Sequence, residues 1–348
     1  MGKNSEYNRA LREKKRKKLS DLEKMLPHYC IPYLDEKELN SQLNTVISYA
    51  YDLITFFEFL KEENPQLKNT DVKDIPLSFL ENLSFEDINE YQKYLSYHNG
   101  EHKHLNEEKG IARRMSALRG FFEFVCTHGY LKNNPTVGAA KRKKQPKKDI
   151  VRLNSDEVHA VLDVVSNSDV STERQRRFCE KTQLRDTAIL TLLLNTGIRV
   201  SECVGLDVDD INFKENSLTV VRKGGNTAIL YFNEDVENAL RDYMENERLA
   251  YLDDPEEKAL FLSLRKQRIA VRSIQQMVKK YAQIAVPEKN ISPHKMRSTY
   301  GTALYRQSGD IRLVADVLGH VDINTTAKHY AAIEDEHRRK AAKINPYD

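Results

Sequence analysis

No apolar run in this chain approaches the roughly 20 residues of a membrane span, and no hydrophobic leader opens the sequence. The first residues are polar and the stretch from Leu11 to Lys18 is mostly basic, so a cytoplasmic location is expected and no membrane partner. The four cysteines, Cys30, Cys126, Cys179 and Cys203, include no C-x-x-C pair, which argues against a disulfide frame and against a zinc site. No cluster of metal-ligating residues is visible, so neither a metal nor a cofactor is expected. Internal repeats are absent, as is low-complexity sequence outside two basic runs. Net charge is only +3, so a surface for a polyanion would have to come from local clustering rather than from global basicity.

What the chain has is length and enough apolar residues for cores. Its 348 residues exceed the usual size of a single core, and 40% hydrophobic against 31% charged residues suits a globular protein; two domains are expected. Composition breaks most sharply at Lys141-Arg142-Lys143-Lys144-Gln145-Pro146-Lys147-Lys148, where cations surround a helix-blocking proline. This is a linker, either a solvated tether or one that also lies along phosphates. The expected divisions are a basic N-terminal arm over 1–24, a helical domain over 25–140, the linker over 141–150 and a second domain with a C-terminal tail over 151–348.

Apolar residues at Leu43, Val46, Ile47, Ala50, Leu53, Ile54, Phe57 and Leu60 predict one long amphipathic helix. Ser84, ahead of the acidic turn Phe85-Glu86-Asp87-Ile88, predicts a capped second helix through Tyr91 and Leu95. A third begins near Asn106, with Ile111, Met115, Leu118, Phe121, Phe122 and Val125 on one side and Arg113, Arg114 and Arg119 on the other. Gly129 stops it, and Asn134-Pro135 turns the chain toward the linker. No strand pattern precedes residue 140. Downstream the pattern is mixed: Ser155 with Asp156 and Glu157 opens one helix, and Asp186 to Asn195 forms an apolar one that Gly197 can terminate. Ser217–Val221 and Thr227–Phe232 flank Gly224-Gly225 as a β-hairpin, and the chain is expected to be helical again after Phe261. The fold class is mainly α with a small antiparallel β-sheet, a helical domain followed by an α+β domain.

Several residues in the second domain could do chemistry on a phosphate. Ser292 can cap a helix and Pro293 suits its first position, which sets His294 and Arg297 three apart on one face of a helix start, where backbone N–H groups favour an anion. An H-x-x-R match arises about once by chance at this composition, so it needs company. Arg199 follows Gly197 by two residues; it either pairs with Glu202 or a nearby acid such as Asp186, or holds two phosphate oxygens in its planar fork. Lys223, in the turn Arg222-Lys223-Gly224-Gly225-Asn226, is either a soluble turn residue or an ammonium that reaches into a groove to protonate a departing alkoxide. Asp310 caps a short helix, Leu318-Gly319 ends it, and His320 follows at the exit. A polar loop then leads to a helical stretch holding Tyr330. A tyrosine is a packing residue by default; Tyr330 stands out only as the last of an ordered series.

That series carries a resemblance. Thr196-Gly197-Ile198-Arg199-Val200-Ser201-Glu202, Pro293-His294-Lys295-Met296-Arg297 and Val317-Leu318-Gly319-His320, followed by Tyr330, resemble the successive boxes of the tyrosine recombinase (phage integrase) superfamily. The segments from Ser48 to Phe57 and from Arg114 to Pro135 resemble its core-binding domain, and the short stretch ahead of the first long helix favours an Xer-like simple recombinase. The resemblance implies a SAM-like core-binding domain followed by a tyrosine-recombinase catalytic domain. It implies cleavage and rejoining of DNA strands through a 3′-phosphotyrosyl intermediate, without metal or ATP, on double-stranded DNA carrying a specific site and by a homo-tetramer. Arg199 and Arg297 would bind the non-bridging oxygens, His294 and His320 would assist proton transfer and orientation, Lys223 would be the general acid, and Tyr330 the nucleophile. Arg113, Arg114, Arg119, Lys141, Arg142, Lys143 and Lys144 would contact DNA. Two details depart from the common pattern: Ser298 stands where many relatives have histidine, and Val170 to Leu184 is a charged insertion. Neither removes a functional group. The competing expectations are a type IB topoisomerase-like enzyme with the same chemistry and a non-catalytic DNA-binding relative.

Overall fold

The computed structural model of the chain describes residues 6–97, 108–140, 151–167, 179–222, 225–320 and 323. Contacts divide it into two units between Lys147 and Lys148.

The described part of the N-terminal unit is helical. The basic segment expected as an arm forms α1 (Glu6–Glu23), which buries Leu19 and Leu22 and packs along α3 (Leu43–Glu63). Two leucines are enough to seat it, while Arg12, Lys14 and Lys17 stay exposed. After α2 (Ile31–Asn40), the long helix predicted from periodicity is α3 itself, and α4 (Leu77–Glu81) is a single short turn. Helix α5 (Phe85–Tyr97) begins with a reciprocal cap in which the Ser84 N–H donates to Asp87 Oδ2 at 2.7 Å. Helix α6 (Glu108–Thr127) is followed by Gly129 at φ +73°. Tyr33, Phe56, Phe57, Phe121 and Phe122 form the centre of the core, with ring centroids 5.4–6.4 Å apart in edge-on contacts. Such pairs add roughly 0.5–1.5 kcal/mol each beyond their buried area. The buried Tyr33 hydroxyl donates to the Ala117 carbonyl at 3.1 Å. A Cβ at Gly120 would lie 2.8 Å from that hydroxyl, so glycine lets the ring pass.

Among the described residues of this unit, one charged group is buried. Asp52 on α3 is 4% exposed and accepts from Arg113 Nη2 at 2.8 Å and from Nη1, with Arg114 Nε at 3.9 Å. Burial raises its carboxyl above the usual range, while the hydrogen bond and charge of Arg113 oppose that shift. Replacing Asp52 with alanine leaves Arg113 without its acceptor and Arg114 without a nearby counter-charge, and should lower unfolding stability by about 1–3 kcal/mol in urea denaturation.

In the C-terminal unit, α7 (Ser155–Ser166) starts at Asn154, whose side chain accepts from the Glu157 N–H at 2.8 Å while Glu157 Oε2 accepts from the Asn154 N–H at 2.7 Å. Helix α8 (Gln183–Thr196) is buried along most of its length, and Ala188, Ile189, Leu190, Leu192 and Leu193 are fully buried, as expected of a central core helix. Its orphan N–H groups at Leu184 and Arg185 donate to Glu247 Oε2 at 2.8 and 3.3 Å. Beside them Arg185 donates to Asp186 Oδ1 at 2.7 Å, and the Tyr281 hydroxyl donates to Asp186 Oδ2 at 3.1 Å. This buried network fixes the start of α8, and its far end delivers Gly197 and Arg199.

The expected hairpin is β2 (Ser217–Val221) and β3 (Thr227–Tyr231), joined by a short unexpected strand, β1 (Ile211–Asn212), in an antiparallel sheet of order β1-β2-β3. Leu218 pairs with Leu230 and Val220 with Ala228, which puts one apolar face on the core. Helix α9 (Val200–Val204) precedes the sheet, and α10 (Glu234–Asp242) follows it and runs into a π-helical turn, Tyr243–Arg248, that carries Glu247. The stretch after Phe261 departs from the helical expectation: Leu262 bridges Arg268, with Lys266 at φ 59°, before α11 (Val271–Ala285) begins. Two helices, α12 (Pro293–Ser308) and α13 (Ile311–Leu318), complete the described unit.

Candidate active site

The site is built around the C-terminal end of α13. Asp310 starts this helix by accepting from the N–H groups of Arg312 and Leu313 at 2.7 and 3.2 Å. Gly319, at φ +61°, ends it, with the Gly319 N–H donating to the Asp316 carbonyl at 2.8 Å and the His320 N–H to the Ala315 carbonyl at 2.9 Å. A helix end leaves its last carbonyls without intrahelical donors and carries partial negative charge. Here arginines from three distant segments supply the donors. Arg222 donates to the carbonyls of Asp316 and Val317 at 3.1 and 2.9 Å, Arg297 to that of Leu318, and Arg199 to that of Gly319 at 2.9 Å. Four consecutive carbonyls are thereby satisfied, immediately ahead of His320.

Each sequence-predicted box finds a local reason for its place. Gly197 takes the left-handed conformation at φ +61° that closes α8. Its carbonyl accepts from Arg297 Nη1. Arg199 is the first residue ahead of α9; its Nη1 pairs with Glu202 at 2.7 Å while the Arg199 N–H donates to Glu202 Oε2 at 2.9 Å. Of the two acids considered for Arg199, the partner is Glu202, because Asp186 is engaged by Arg185 and Tyr281 at the other end of α8. The Arg199 side chain remains 31% exposed. At the start of α12, Ser292 and Pro293 take the N-cap and first positions, although the Ser292 side chain makes no capping bond. His294 is exposed in the first turn and Arg297, one turn on, is buried. Ser298 donates its hydroxyl to the His294 carbonyl at 3.1 Å.

Arg199, Arg297 and His320 thus meet at residues 318–320, and His294 shares the helix start of Arg297. Lys223 and Tyr330 lie outside the described residues, as do Lys141, Arg142, Lys143 and Lys144. Arg113, Arg114 and Arg119 belong to the other unit; the first two are tied to Asp52, and Arg119 lines a cleft with Glu123 and Thr136. Sequence reasoning did not single out Arg222, whose only local signal is its place next to Lys223. Nor did it find Glu247 as the cap of α8, since nothing near residue 247 marks it. Among the described residues no group of His, Cys, Asp and Glu is arranged to hold a metal ion, and no helix is long and apolar enough to cross a membrane. Burial raises the phenols of Tyr281 and Tyr300, and pushes that of Tyr243 up to about 12, so these three are packing residues that stay protonated.

Residues 151–337 match the phage integrase family, and residues 31–129 match the phage integrase N-terminal SAM-like domain. The chain belongs to the phage integrase family of tyrosine recombinases, enzymes that transfer DNA strands. It is similar to tyrosine recombinase XerC of Caldanaerobacter subterraneus subsp. tengcongensis, 35% identical over 312 residues that cover 87% of this chain and 82% of the relative. Tyrosine recombinase XerC of Staphylococcus aureus (strain JH9) is 30% identical over 303 residues, 87% of this chain and 90% of the relative. Among solved structures, the fold is shared with XerH recombinase in its post-cleavage complex with a palindromic difH substrate (TM-score 0.64, 20% identity, 89% of this chain and 82% of that one). It is also shared with the Tn1549 transposon integrase in complex with transposon right-end DNA (TM-score 0.62, 20% identity, 90% and 99%).

The close packing around Gly197 gives a direct check on this architecture. A Cβ there would lie 2.5 Å from Tyr300 Cδ1 and 2.9 Å from Leu318 Cδ2, in a backbone conformation that side chains rarely adopt. Gly197→Ala should therefore lower unfolding stability by about 1–3 kcal/mol, measured by chemical denaturation.

Proposed function

We propose that this chain is a site-specific recombinase that cuts and rejoins double-stranded DNA through a 3′-phosphotyrosyl link to Tyr330. The observation that carries the proposal is the meeting of Arg199 and Arg297 on the adjacent carbonyls of Gly319 and Leu318, next to His320. A guanidinium has five N–H donors. Arg199 therefore keeps N–H groups for phosphate oxygens after serving Glu202 and Gly319.

The chemistry balances without an outside energy source. The Tyr330 oxygen attacks the scissile phosphorus, its proton passing to a neighbouring base among His294 and His320. The bond from phosphorus to the 5′ oxygen breaks, and Lys223 gives its ammonium proton to the departing alkoxide. The phosphotyrosine keeps the bond energy, and attack by a 5′ hydroxyl of a partner strand reverses the step. A free phenol is ionised only about one part in a thousand at neutral pH, a penalty of roughly 4 kcal/mol, which nearby cations reduce. The larger demand is the negative charge that grows on the equatorial oxygens. Preorganised cations meet it, and losing one such donor typically costs about 100- to 1,000-fold in rate. Neither metal nor ATP has a step to perform.

Recognition of DNA is assigned to both units. Arg113, Arg114 and Arg119, with the linker cations Lys141, Arg142, Lys143 and Lys144, would neutralise phosphates in a salt-dependent way. The assembled form would be a homo-tetramer on two sites in the cytoplasm. The match of residues 31–129 to the SAM-like domain of integrases favours this over a monomeric relaxing enzyme.

On a nicked duplex carrying the recombination site, Tyr330→Phe should bind as tightly as the parent yet form no protein-DNA adduct; an adduct from that variant would move the nucleophile elsewhere. Arg199→Ala and Arg297→Ala should each slow adduct formation by about 100-fold or more while binding changes little, and near-normal cleavage by both would remove the phosphate clamp from the mechanism. Cleavage should proceed unchanged with excess chelator.

A further inference from the structure

Arg222 is the first residue beyond β2, and both ends of it are fixed. Its backbone N–H donates to the Asn226 carbonyl at 2.8 Å and its carbonyl accepts from the Gly225 N–H at 3.0 Å, which closes the base of the hairpin turn. Its side chain leaves the hairpin altogether and takes the Asp316 and Val317 carbonyls with its two terminal nitrogens. The guanidinium lies so close to Gly319 that a Cβ there would fall 1.7 Å from Nη1. Its Nε is buried with no hydrogen-bond partner. Leaving such a group unsatisfied costs about 1–3 kcal/mol, an expense that a solvent-facing turn arginine would avoid. One peptide bond separates Arg222 from Lys223.

We propose that Arg222 is a positioning residue for proton delivery in strand cleavage. By anchoring the hairpin base to the end of α13, it ties the backbone that precedes Lys223 to the carbonyls of Asp316 and Val317, next in line to those that hold Arg297 and Arg199. The inference rests on Lys223 being the general acid. An anchor that only supported the fold would slow every form of the reaction alike. One that serves proton delivery slows only a reaction that needs the proton.

A sulfur atom in place of the bridging 5′ oxygen separates the two. With oxygen, the phosphorus–oxygen bond breaks, its electron pair stays on the 5′ oxygen, and that alkoxide takes the lysine proton. With sulfur, the phosphorus–sulfur bond breaks and the pair leaves as a thiolate. A thiol has a pKa of about 8.5, so the thiolate needs no acid.

The experiment measures single-turnover adduct formation by the full-length chain on nicked duplexes that carry a 5′-bridging oxygen or a 5′-bridging sulfur. Arg222→Ala should be about 100-fold slower than the parent on oxygen and within about threefold of it on sulfur, the pattern expected from losing general-acid catalysis. Lys223→Ala should behave in the same way, and Arg199→Ala should stay slow on both. If Arg222→Ala proves unstable by thermal melting or loses DNA binding, Arg222→Lys carries the same comparison, since it keeps the charge but lacks the fork. If Lys223→Ala recovers on sulfur while the Arg222 variant is equally slow on both duplexes, or normal on both, Arg222 has no part in proton delivery. Failure of Lys223→Ala itself to recover would remove the general-acid role of Lys223, and the inference with it.

Discussion

The catalytic unit depends on how one helix ends. A short helix that stops at Gly319 presents a row of four carbonyls at its end, of which that of Asp316 also accepts from the Gly319 N–H, and three guanidiniums close on that row. The physical exchange is mutual. The carbonyls lose the cost of being unpaired, and the arginines lose the repulsion they would feel when crowded together. Cations are thus held in place by the protein's own backbone. This matters in a protein whose net charge is only +3, because the field at the site comes from arrangement rather than from excess.

The same economy appears in the N-terminal unit. Asp52, buried on α3, holds Arg113 by two nitrogens and lies near Arg114, so a pair of helical arginines is anchored from below while 48% and 26% of their side chains face solvent. An arginine fixed by one edge keeps its remaining donors aimed in one direction. In each unit, then, arginines proposed to meet phosphate, Arg113 in one and Arg199 and Arg297 in the other, are held by acceptors within the protein.

Much of the fold was legible because it follows local rules. The 3.6-residue period gave α3 and the apolar face of α6, Ser84 and Asp310 cap helices where capping chemistry expects them, and Gly197 and Gly319 stop helices in the left-handed conformation. The boxes around Arg199, Arg297 and His320 were readable in part because each sits at a helix end with such a local signal. What could not be read depends on pairs far apart in sequence. The helix at α1 was hidden by its charge, since two buried leucines among many cations leave almost no period. The capping of α8 by Glu247 spans more than 60 residues, and the stretch between Leu262 and Arg268 is set by bridging rather than by composition. For Arg199, the two alternatives were a salt bridge or a free fork; the folded chain gives it Glu202 and the Gly319 carbonyl together.

Arg199 and Gly319 are 120 residues apart, Arg297 and Gly197 are 100, and Arg222 and Asp316 are 94. Contacts this distant close late, after nearer ones have reduced the entropy of bringing the ends together. A chain caught midway through synthesis or refolding therefore already has its local helices, but not the cluster of arginines, which closes only once α13 has formed.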